Sequence, residues 1–297
     1  MLRTNGQPPG TAAEPAARGA WGEAFYRLGR HPVGMTGLVL MLLIVMLAVA
    51  GPRFFPYSYA DTDLAHSYGR PSARHPCGTD NLGRDECVRL LYGARISLAV
   101  GLVSALISLL VGVLYGAVSG YYGGTVDLVL QRIVELLDAV PQLLYLILLL
   151  TVVRPGLGNI LLVLGATGWL GMARVVRGEV LALREQDYVQ AAQALGAPPR
   201  RLIWRHLVPG AAGPILVTLT VGIPAAIFFE SFLSFIGLGV SSPLASWGTM
   251  TADALAGLRS HPLLLFAPAA AIGLTLLAFQ FLGQGLQDAL DPRGRRT

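Results

Sequence analysis

Ionisable side chains inside long apolar runs are the residues of this sequence whose type and spacing favour a chemical or transport role. Glu135, Asp138 and Glu230 lie in or at the edge of such runs. A charged group in hydrocarbon costs free energy, about 3 kcal/mol on insertion scales, and usually faces a cavity or a partner. Glu135 and Asp138 are three residues apart and so share one helix face. All three carboxylates are therefore candidates for lining a path across a membrane.

Each candidate has a structural alternative. Glu135 follows Arg132 by three residues, so an ion pair near the membrane edge is the preferred interpretation there. Pro141 comes shortly after and is expected to kink the helix. For Glu230, lining of the path and hydrogen bonding between helices remain equally open.

Several classes of enzyme are excluded by residues that the sequence lacks. All 22 basic residues are arginines. A P-loop needs a lysine at the phosphates and Schiff-base chemistry needs a lysine amine, so any ATP use must come from another chain. The histidines His75, His206 and His261 lack metal-ligand spacing, so no metal site is expected. The arginines are spread through loops without a basic domain, which argues against nucleic-acid binding.

Composition predicts an all-α polytopic membrane protein. Charged residues make up only 13% of the chain, and the mean hydropathy is +0.58. A span needs about 20 apolar residues. Six segments qualify as membrane spans: 33–51, 96–118, 133–153, 157–173, 211–229 and 263–282.

The chain is predicted to divide at the ends of these runs. The first apolar run begins too far from the start for a secretory signal, so it is interpreted as a retained span. The predicted divisions are a disordered cytoplasmic tail over 1–32, the first span over 33–51, an external segment over 52–95, a permease core over 96–285 that contains a cytoplasmic loop over 178–210, and a cytoplasmic tail over 286–297.

Arginine counts predict that both termini are cytoplasmic. The N-terminal tail carries four arginines, the loop over 174–210 carries six and the C-terminus carries three. Cytoplasmic loops are enriched in arginine and lysine. The segment over 52–95 disagrees, since it carries six arginines although it would be external, but five acidic residues accompany them.

Cys77 and Cys87 both lie in the predicted external segment. An external location would permit a disulfide, but spacing alone does not show one. Two unpaired thiols are the preferred interpretation.

The segment over 187–210, DYVQAAQALGAPPRRLIWRHLVPG, is a polar insertion between two apolar blocks. Pro198 and Pro199 divide it into two short helices, which need packing to be stable. Gly196 permits a close approach or a positive φ where the first helix ends. The segment is predicted to be a surface for a soluble partner; an amphipathic helix whose arginines face anionic lipid is the alternative.

This segment resembles the ATPase-docking loop of binding-protein-dependent ABC importer permeases. The family pattern is Glu-Ala-Ala, three residues, Gly, a fixed gap, an apolar residue and Leu-Pro. The chain keeps part of that pattern and departs from it at Gln190, in place of glutamate, and at Val208, in place of leucine. The residues assigned to docking are Gln190, Ala191, Ala192, Gly196, Arg200, Arg201, Arg205 and Pro209.

A second region narrows the resemblance. HPCGTDNLGRD over 75–85, followed by LLYGARISLAVG, is similar to the segment before the second span in C-type permease subunits of dipeptide, oligopeptide and nickel importers. Thr79 and Asp80 are expected to cap the next helix, and Asp85, Arg84 and Arg89 to satisfy one another. The residues that carry this resemblance are Gly78, Thr79, Asp80, Gly83, Arg84 and Asp85.

The resemblance implies a six-helix permease of the type I ABC importer fold in a bacterial or archaeal cytoplasmic membrane, without a cofactor of its own. Its expected partners are membrane lipid, a second, B-type permease, two ATPases that hold ATP and Mg²⁺, and an external solute-binding protein. The expected cargo is dipeptides or oligopeptides, with nickel or another small solute as the first alternative. An ion-gradient-driven secondary transporter and a non-transporting scaffold are the remaining alternatives.

Overall fold

The structure, a computed structural model, describes residues 20–153 and 156–290, and most of them lie in helices. Within these ranges the only strand-like pairing is an isolated bridge between Thr79 and Asp85. The α-helices are α1 (Ala20–Arg30), α2 (Pro32–Ala50), α3 (Glu86–Tyr122), α4 (Gly124–Asp138), α5 (Gln142–Val152), α6 (Leu157–Thr167), α7 (Trp169–Arg184), α8 (Asp187–Ala194), α9 (Pro199–Leu202), α10 (Val208–Gly210), α11 (Ala212–Phe235), α12 (Trp247–Ala254) and α13 (Leu263–Leu290).

Five apolar helical segments are long enough to cross a membrane: Pro32–Phe54, Glu86–Tyr122, Leu157–Arg184, Ala212–Phe235 and Leu263–Leu290. They correspond to five of the six predicted spans. The helix α3 begins at Glu86, ten residues before the predicted start of its span at 96, and its 37 residues extend over about 55 Å. Since the hydrocarbon core is about 30 Å thick, α3 projects beyond the membrane.

The third predicted span is broken. The sequence predicts one kinked helix over 133–153, whereas α4 and α5 meet at an angle of 81°. Pro141 lies in the break and cannot continue the hydrogen-bond ladder of α4. The pair counts as a sixth span if its two arms are taken together.

Glycines bring the long helices into close contact. Gly112, Gly116 and Gly120 lie on one face of α3, and a Cβ atom at any of them would collide with α7. Gly34 of α2 similarly faces Gly285 of α13. Small residues let helix backbones approach where lipid supplies no hydrophobic force between helices.

The N-terminal region contains more structure than the sequence indicates. The sequence predicts a disordered tail over 1–32, but residues 20–30 form α1; residues 1–19 and 291–297 lie outside the described part. His31 separates α1 from α2 and caps α2, accepting a hydrogen bond from the Gly34 N–H at 3.0 Å. Its other ring nitrogen lies 3.0 Å from the carboxylate of Asp288, which connects this corner to the end of α13.

Candidate functional site

The loop between α7 and α11 has a core of its own. Val189 of α8 and Leu202, Ile203 and Leu207 of the second helical stretch are buried against α7. The second stretch runs from Pro199 to Gly210 and includes a π-helical turn over Ile203–Leu207. The predicted division at Pro198 and Pro199 is correct, and packing on α7 holds helices too short to be stable alone.

Gly196 ends the first helix in the left-handed region, with φ of 81°, and no atom lies within 4 Å of the position where its Cβ would be. Of the two reasons for glycine that the sequence left open, the positive φ is observed and the close approach is not. Backbone geometry rather than space therefore favours glycine here.

The outer face of this loop is exposed. Leu195 is 89% exposed, and Gln190, Ala191 and Pro209 are also on the surface, while Ala192 is partly buried. Arg200, Arg201 and Arg205 are exposed, and no ion pair is found for any of them among residues 20–153 and 156–290. The surface is thus apolar at its tip and cationic beside it.

Helix α7, which leads into this loop, is held by ion pairs and hydrogen bonds to α3 and α4. Arg177 pairs with Asp127 of α4, and the Ser119 hydroxyl also donates to Asp127. Arg184 donates to the Tyr121 carbonyl at 2.8 Å. Arg174 lies 2.6 Å from Asp138, the last residue of α4. The loop is therefore connected through α7 to the broken span.

A cavity of about 550 Å³ lies between α3, α5, α7 and α11. Its walls are mostly apolar or small, with hydroxyl groups from Ser104, Ser108 and Thr218. Among the described residues that line it, Asp138 and Arg174 are the only ones that carry a charge. A mostly apolar cavity with a few polar groups is typical of a small-molecule site.

The three predicted path residues occupy different environments. Asp138 lines the cavity, whereas Glu135 and Glu230 do not. Glu135 is exposed and pairs with Arg132 at 2.8 Å, the pairing preferred from the sequence. The pair Glu135 and Asp138 shares a helix but not a cavity.

Glu230 is fully buried among hydroxyl groups. It accepts hydrogen bonds from Ser97 of α3 at 3.1 Å and from Ser234 at 2.8 Å. The Trp247 N–H donates to the Ser97 oxygen at 3.3 Å, so the hydrogen of Ser97 is free for Glu230. Glu230 thus joins α3, α11 and the start of α12 by hydrogen bonds, the second of the two alternatives left open by the sequence.

The segment predicted to be external contains a compact unit, which we call the external cap and define as residues 75–89 with Asp253. Arg84 and Arg89 each lie 2.9 Å from the Asp253 carboxylate, and Arg84 lies 2.6 Å from Asp80. Arg89 is only 2% exposed. Because these arginines are paired with carboxylates of the protein, they are weak evidence for a cytoplasmic location of the segment.

Two expectations about the external cap are wrong. Asp85, not Thr79 or Asp80, caps α3, because its side chain accepts from the Val88 N–H, while its other oxygen lies 2.8 Å from His75. Asp80, not Asp85, is the carboxylate that pairs with Arg84. Thr79 instead fixes the loop by accepting from the Gly69 N–H at 2.7 Å.

The prediction that the two cysteines are unpaired is also wrong. Cys77 and Cys87 form a disulfide with a Cα–Cα distance of 5.3 Å, where unpaired thiols were the preferred interpretation. The bridge is local: it connects the loop to the first turn of α3. The turn that brings these residues together includes Gly78 and Gly83, both with positive φ.

Sequence reasoning did not select Arg174, Asp127 or Asp253 as site residues. Arg174 and Arg177 are three residues apart at the end of an apolar run, and the same spacing that selected Glu135 and Asp138 would have selected them. Asp253 offered no such signal, since its partners are more than 160 positions away.

Comparisons with known proteins agree on one family. Residues 109–296 match the binding-protein-dependent transport system inner membrane component, and residues 19–71 match the N-terminal TM domain of oligopeptide transport permease C. The chain is 46% identical to the oligopeptide transport system permease protein OppC of Bacillus subtilis, over 93% of this chain and 90% of that protein. It is 49% identical to the dipeptide transport system permease protein DppC of the same organism, over 92% and 86%.

A solved structure has the same fold. A chain of the methionine ABC transporter MetNI, in an inward-facing conformation, superposes with a TM-score of 0.57 at 17% identity, covering 68% of this chain and 96% of that chain. Together with the sequence matches, this places the helices in one known architecture. The chain belongs to the family of binding-protein-dependent transport system inner membrane components, and it is a multi-pass permease subunit of an ABC transporter in the inner membrane, without an ATPase domain.

Proposed function

We propose that this chain and a second, B-type permease enclose one path through which dipeptides or oligopeptides enter the cell. An external solute-binding protein delivers the peptide. Two ATPase subunits hold ATP and Mg²⁺, and one of them docks on the loop over 187–209. The observation that carries the proposal is the contrast within that loop: its inner face is buried on α7, while Leu195 and three arginines remain exposed.

Support for docking comes from chemistry as well as position. An exposed leucine surrounded by cationic side chains suits a partner groove that offers an apolar pocket and carboxylates. The α8 helix and the stretch after Pro199 are held against α7, so a force on the loop acts on α7 as well. The lipid alternative would leave Leu195 in the headgroup region.

Transport would follow from movement of that lever. Closure of the ATPases pushes the loop, and α7 moves with it because the loop is packed against α7. ATP thereby shifts the population between inward-facing and outward-facing arrangements. This chain supplies path and lever, and its partner supplies the hydrolysis.

The orientation proposed is the one the arginine counts predict, with both termini and the docking loop in the cytoplasm. Three of the six arginines of residues 52–95 no longer argue against it. Arg84 and Arg89 are paired with carboxylates, and Arg95 donates to the Ala48 and Val49 carbonyls at the end of α2. Those three arginines have a structural reason to be external.

Peptide cargo is proposed because the relatives named above are permeases of oligopeptide and dipeptide systems. Path lining is proposed for Asp138 alone among the three carboxylates, because it lies on the cavity. Nickel or another small solute remains the alternative cargo, since the binding protein selects the ligand.

The test uses two matched glycines. Gly196 and Gly237 have φ of 81° and 84°, and both have open space around the missing Cβ. Gly237 follows α11, about 36 Å along that helix from the docking-loop side. We expect Gly196→Asp to abolish peptide uptake by the reconstituted importer while the subunit still inserts, and Gly237→Asp to retain most uptake.

The readouts are ATP-dependent uptake of radiolabelled dialanine into proteoliposomes and co-purification of the ATPases. Normal coupled uptake by Gly196→Asp would remove the lever role. Normal uptake after the whole loop is disrupted would indicate a scaffold, and uptake by the subunit alone without ATP would indicate a secondary transporter.

A further inference from the structure

We infer that the Asp138–Arg174 ion pair is a charge-exchange subsite of the cavity, which opens to take the ammonium and the carboxylate of a free-ended peptide. The inference rests on the proposed peptide cargo and names residues that would recognise it. In the empty cavity the two side chains neutralise each other. When a zwitterionic peptide enters, its ammonium pairs with Asp138 and its carboxylate with Arg174.

The composition of the cavity leads to this pair. Among the described residues that line it, Asp138 and Arg174 carry the only charges, and the rest of the wall is apolar, small or uncharged polar. A peptide with free termini brings one ammonium and one carboxylate. This pair is therefore the place in the wall that can match both charges of a zwitterion, which a neutral molecule lacks.

The exposure of the pair makes exchange possible. The side chains of Asp138 and Arg174 are 55% and 45% exposed, at an N–O distance of 2.6 Å. Exposed ion pairs contribute little to stability, so a ligand that replaces one partner by another of the same charge loses little. The guanidinium of Arg174 also matches a carboxylate by its fork of donors.

A second ion pair between the same two helices has the opposite character. Asp127 and Arg177 are 15% and 31% exposed, and the Ser119 hydroxyl gives Asp127 a further hydrogen bond. Neither residue lines the cavity. That pair is built to stay closed, which makes it the matched control for the cavity pair.

The position of the pair gives binding a route to the lever. Asp138 is the last residue of α4 before the 81° break, and Arg174 lies on α7, which leads into the docking loop. A cargo that separates the two side chains releases the end of α4 from α7. Occupancy therefore acts on the end of α4, where the span is broken.

The experiment exploits the absence of reactive thiols. The chain has two cysteines, and both are in the disulfide. Ala225 is exposed on the cavity wall, so Ala225→Cys places a single reactive thiol there. The rate of maleimide labelling is measured in membranes that contain the assembled importer, with dialanine or with the uncharged analogue N-acetyl-dialanine amide.

Dialanine is expected to slow labelling, and the uncharged analogue at the same concentration is expected not to. In Asp138→Asn and in Arg174→Gln the half-protecting concentration of dialanine should rise about tenfold, because one charge-assisted contact is lost. Asp127→Asn should leave it unchanged. The labelling rate without peptide reports whether each variant keeps the cavity. If one of the two cavity variants loses the cavity, the remaining variant and the comparison of dialanine with its uncharged analogue still test the inference.

Equal protection by the charged and uncharged ligands would overturn the inference, as would unchanged protection in both cavity variants. Absence of protection by dialanine would overturn it as well. Uptake of dialanine by the unmodified importer is a separate measurement: if uptake is normal and protection absent, the proposed function stands without this subsite, and if no peptide is imported, the proposed cargo itself is wrong.

Discussion

The external cap and the proposed docking loop over 187–209 are both charged turns attached to membrane helices, but their charged side chains lie in opposite environments. In the cap, Arg89 is 2% exposed and lies between two carboxylates. In the loop, Arg201 is exposed, and within the described residues it has no ion pair. Buried paired charges serve the fold, whereas bare charges on a well-packed helix are available to another molecule.

The glycines of the two regions differ in the same way. Gly83 in the cap and Gly196 in the loop both have positive φ, 73° and 81°. A Cβ at Gly83 would collide with the Asp63 carbonyl, whereas a Cβ at Gly196 would meet nothing within 4 Å. The space beside Gly83 is occupied by the neighbouring backbone at Asp63, whereas the space beside Gly196 is open.

The largest effect is expected when the charge balance of the cap is broken. Arg89→Met keeps an unbranched apolar chain but leaves Asp80 and Asp253 without one of their partners. We expect the stability of the cap to fall by about 3–5 kcal/mol, seen as a lower melting temperature of the purified protein in detergent. Arg70→Met, at an exposed position of the same segment, should change the melting temperature little. Equal melting temperatures would mean that the buried arginine is not structural.

Removal of the disulfide should have the next largest effect. The bridge joins residues ten positions apart. Removing a disulfide that closes a loop of that length lowers the free energy of unfolding by about 2–3 kcal/mol. Cys77→Ser with Cys87→Ser should therefore melt at a lower temperature than the unmodified protein. A reductant should reproduce the shift in the unmodified protein and cause no further shift in the double variant; a reductant effect on the double variant would point to another cause.

In the docking loop the expected loss is in association rather than in stability. Leu195→Ala should weaken binding of the ATPase subunit about tenfold, as truncation of an apolar anchor does. The melting temperature should not change, because the side chain is 89% exposed. Leu64→Ala is the control, since that leucine is 70% exposed in the external segment. If both variants bind the ATPase normally, the tip of the loop is not the anchor.

The smallest effect is expected for a single arginine of the loop. Arg201→Gln should weaken ATPase binding by about two- to fivefold at low salt, as an exposed ion pair contributes little. The difference from the unmodified protein should shrink as salt is raised, because screening removes the interaction. An effect that is independent of salt would show that Arg201 acts through packing and not through its charge.

Much of this protein could be predicted from local pattern. Helices α2, α11 and α13 follow from long apolar runs, and the division at Pro198 follows from the backbone limits of proline. The positive φ of Gly196 and the ion pair of Glu135 with Arg132 also depend on neighbours in sequence, and both predictions hold. These features could be predicted because each of them is determined by residues close together in the sequence.

The incorrect predictions concern contacts that local pattern does not specify. The caps of α3 and the pairing of the cysteines were wrong because the turn over 75–87 brings Asp85, Cys77 and Cys87 into positions that spacing does not specify. Helix α1 was missed because a short helix depends on packing, here beside α13. A kink at Pro141 was expected, but not a break of 81° between two helices.

Sequence by itself determined that this is a multi-span membrane protein whose basic residues are all arginines, so that it lacks the lysine of a P-loop. It also predicted a partner surface between the fourth and fifth spans. Only the tertiary structure decided the partner of each charged side chain. Asp253 pairs with Arg84 and Arg89, more than 160 positions away in sequence. Arg174 pairs with Asp138 at the cavity, and Glu230 is surrounded by hydroxyl groups. The physical reason is range. Hydrophobicity and backbone limits act on neighbouring residues, whereas the cost of a buried charge is settled only by what the folded chain brings beside it.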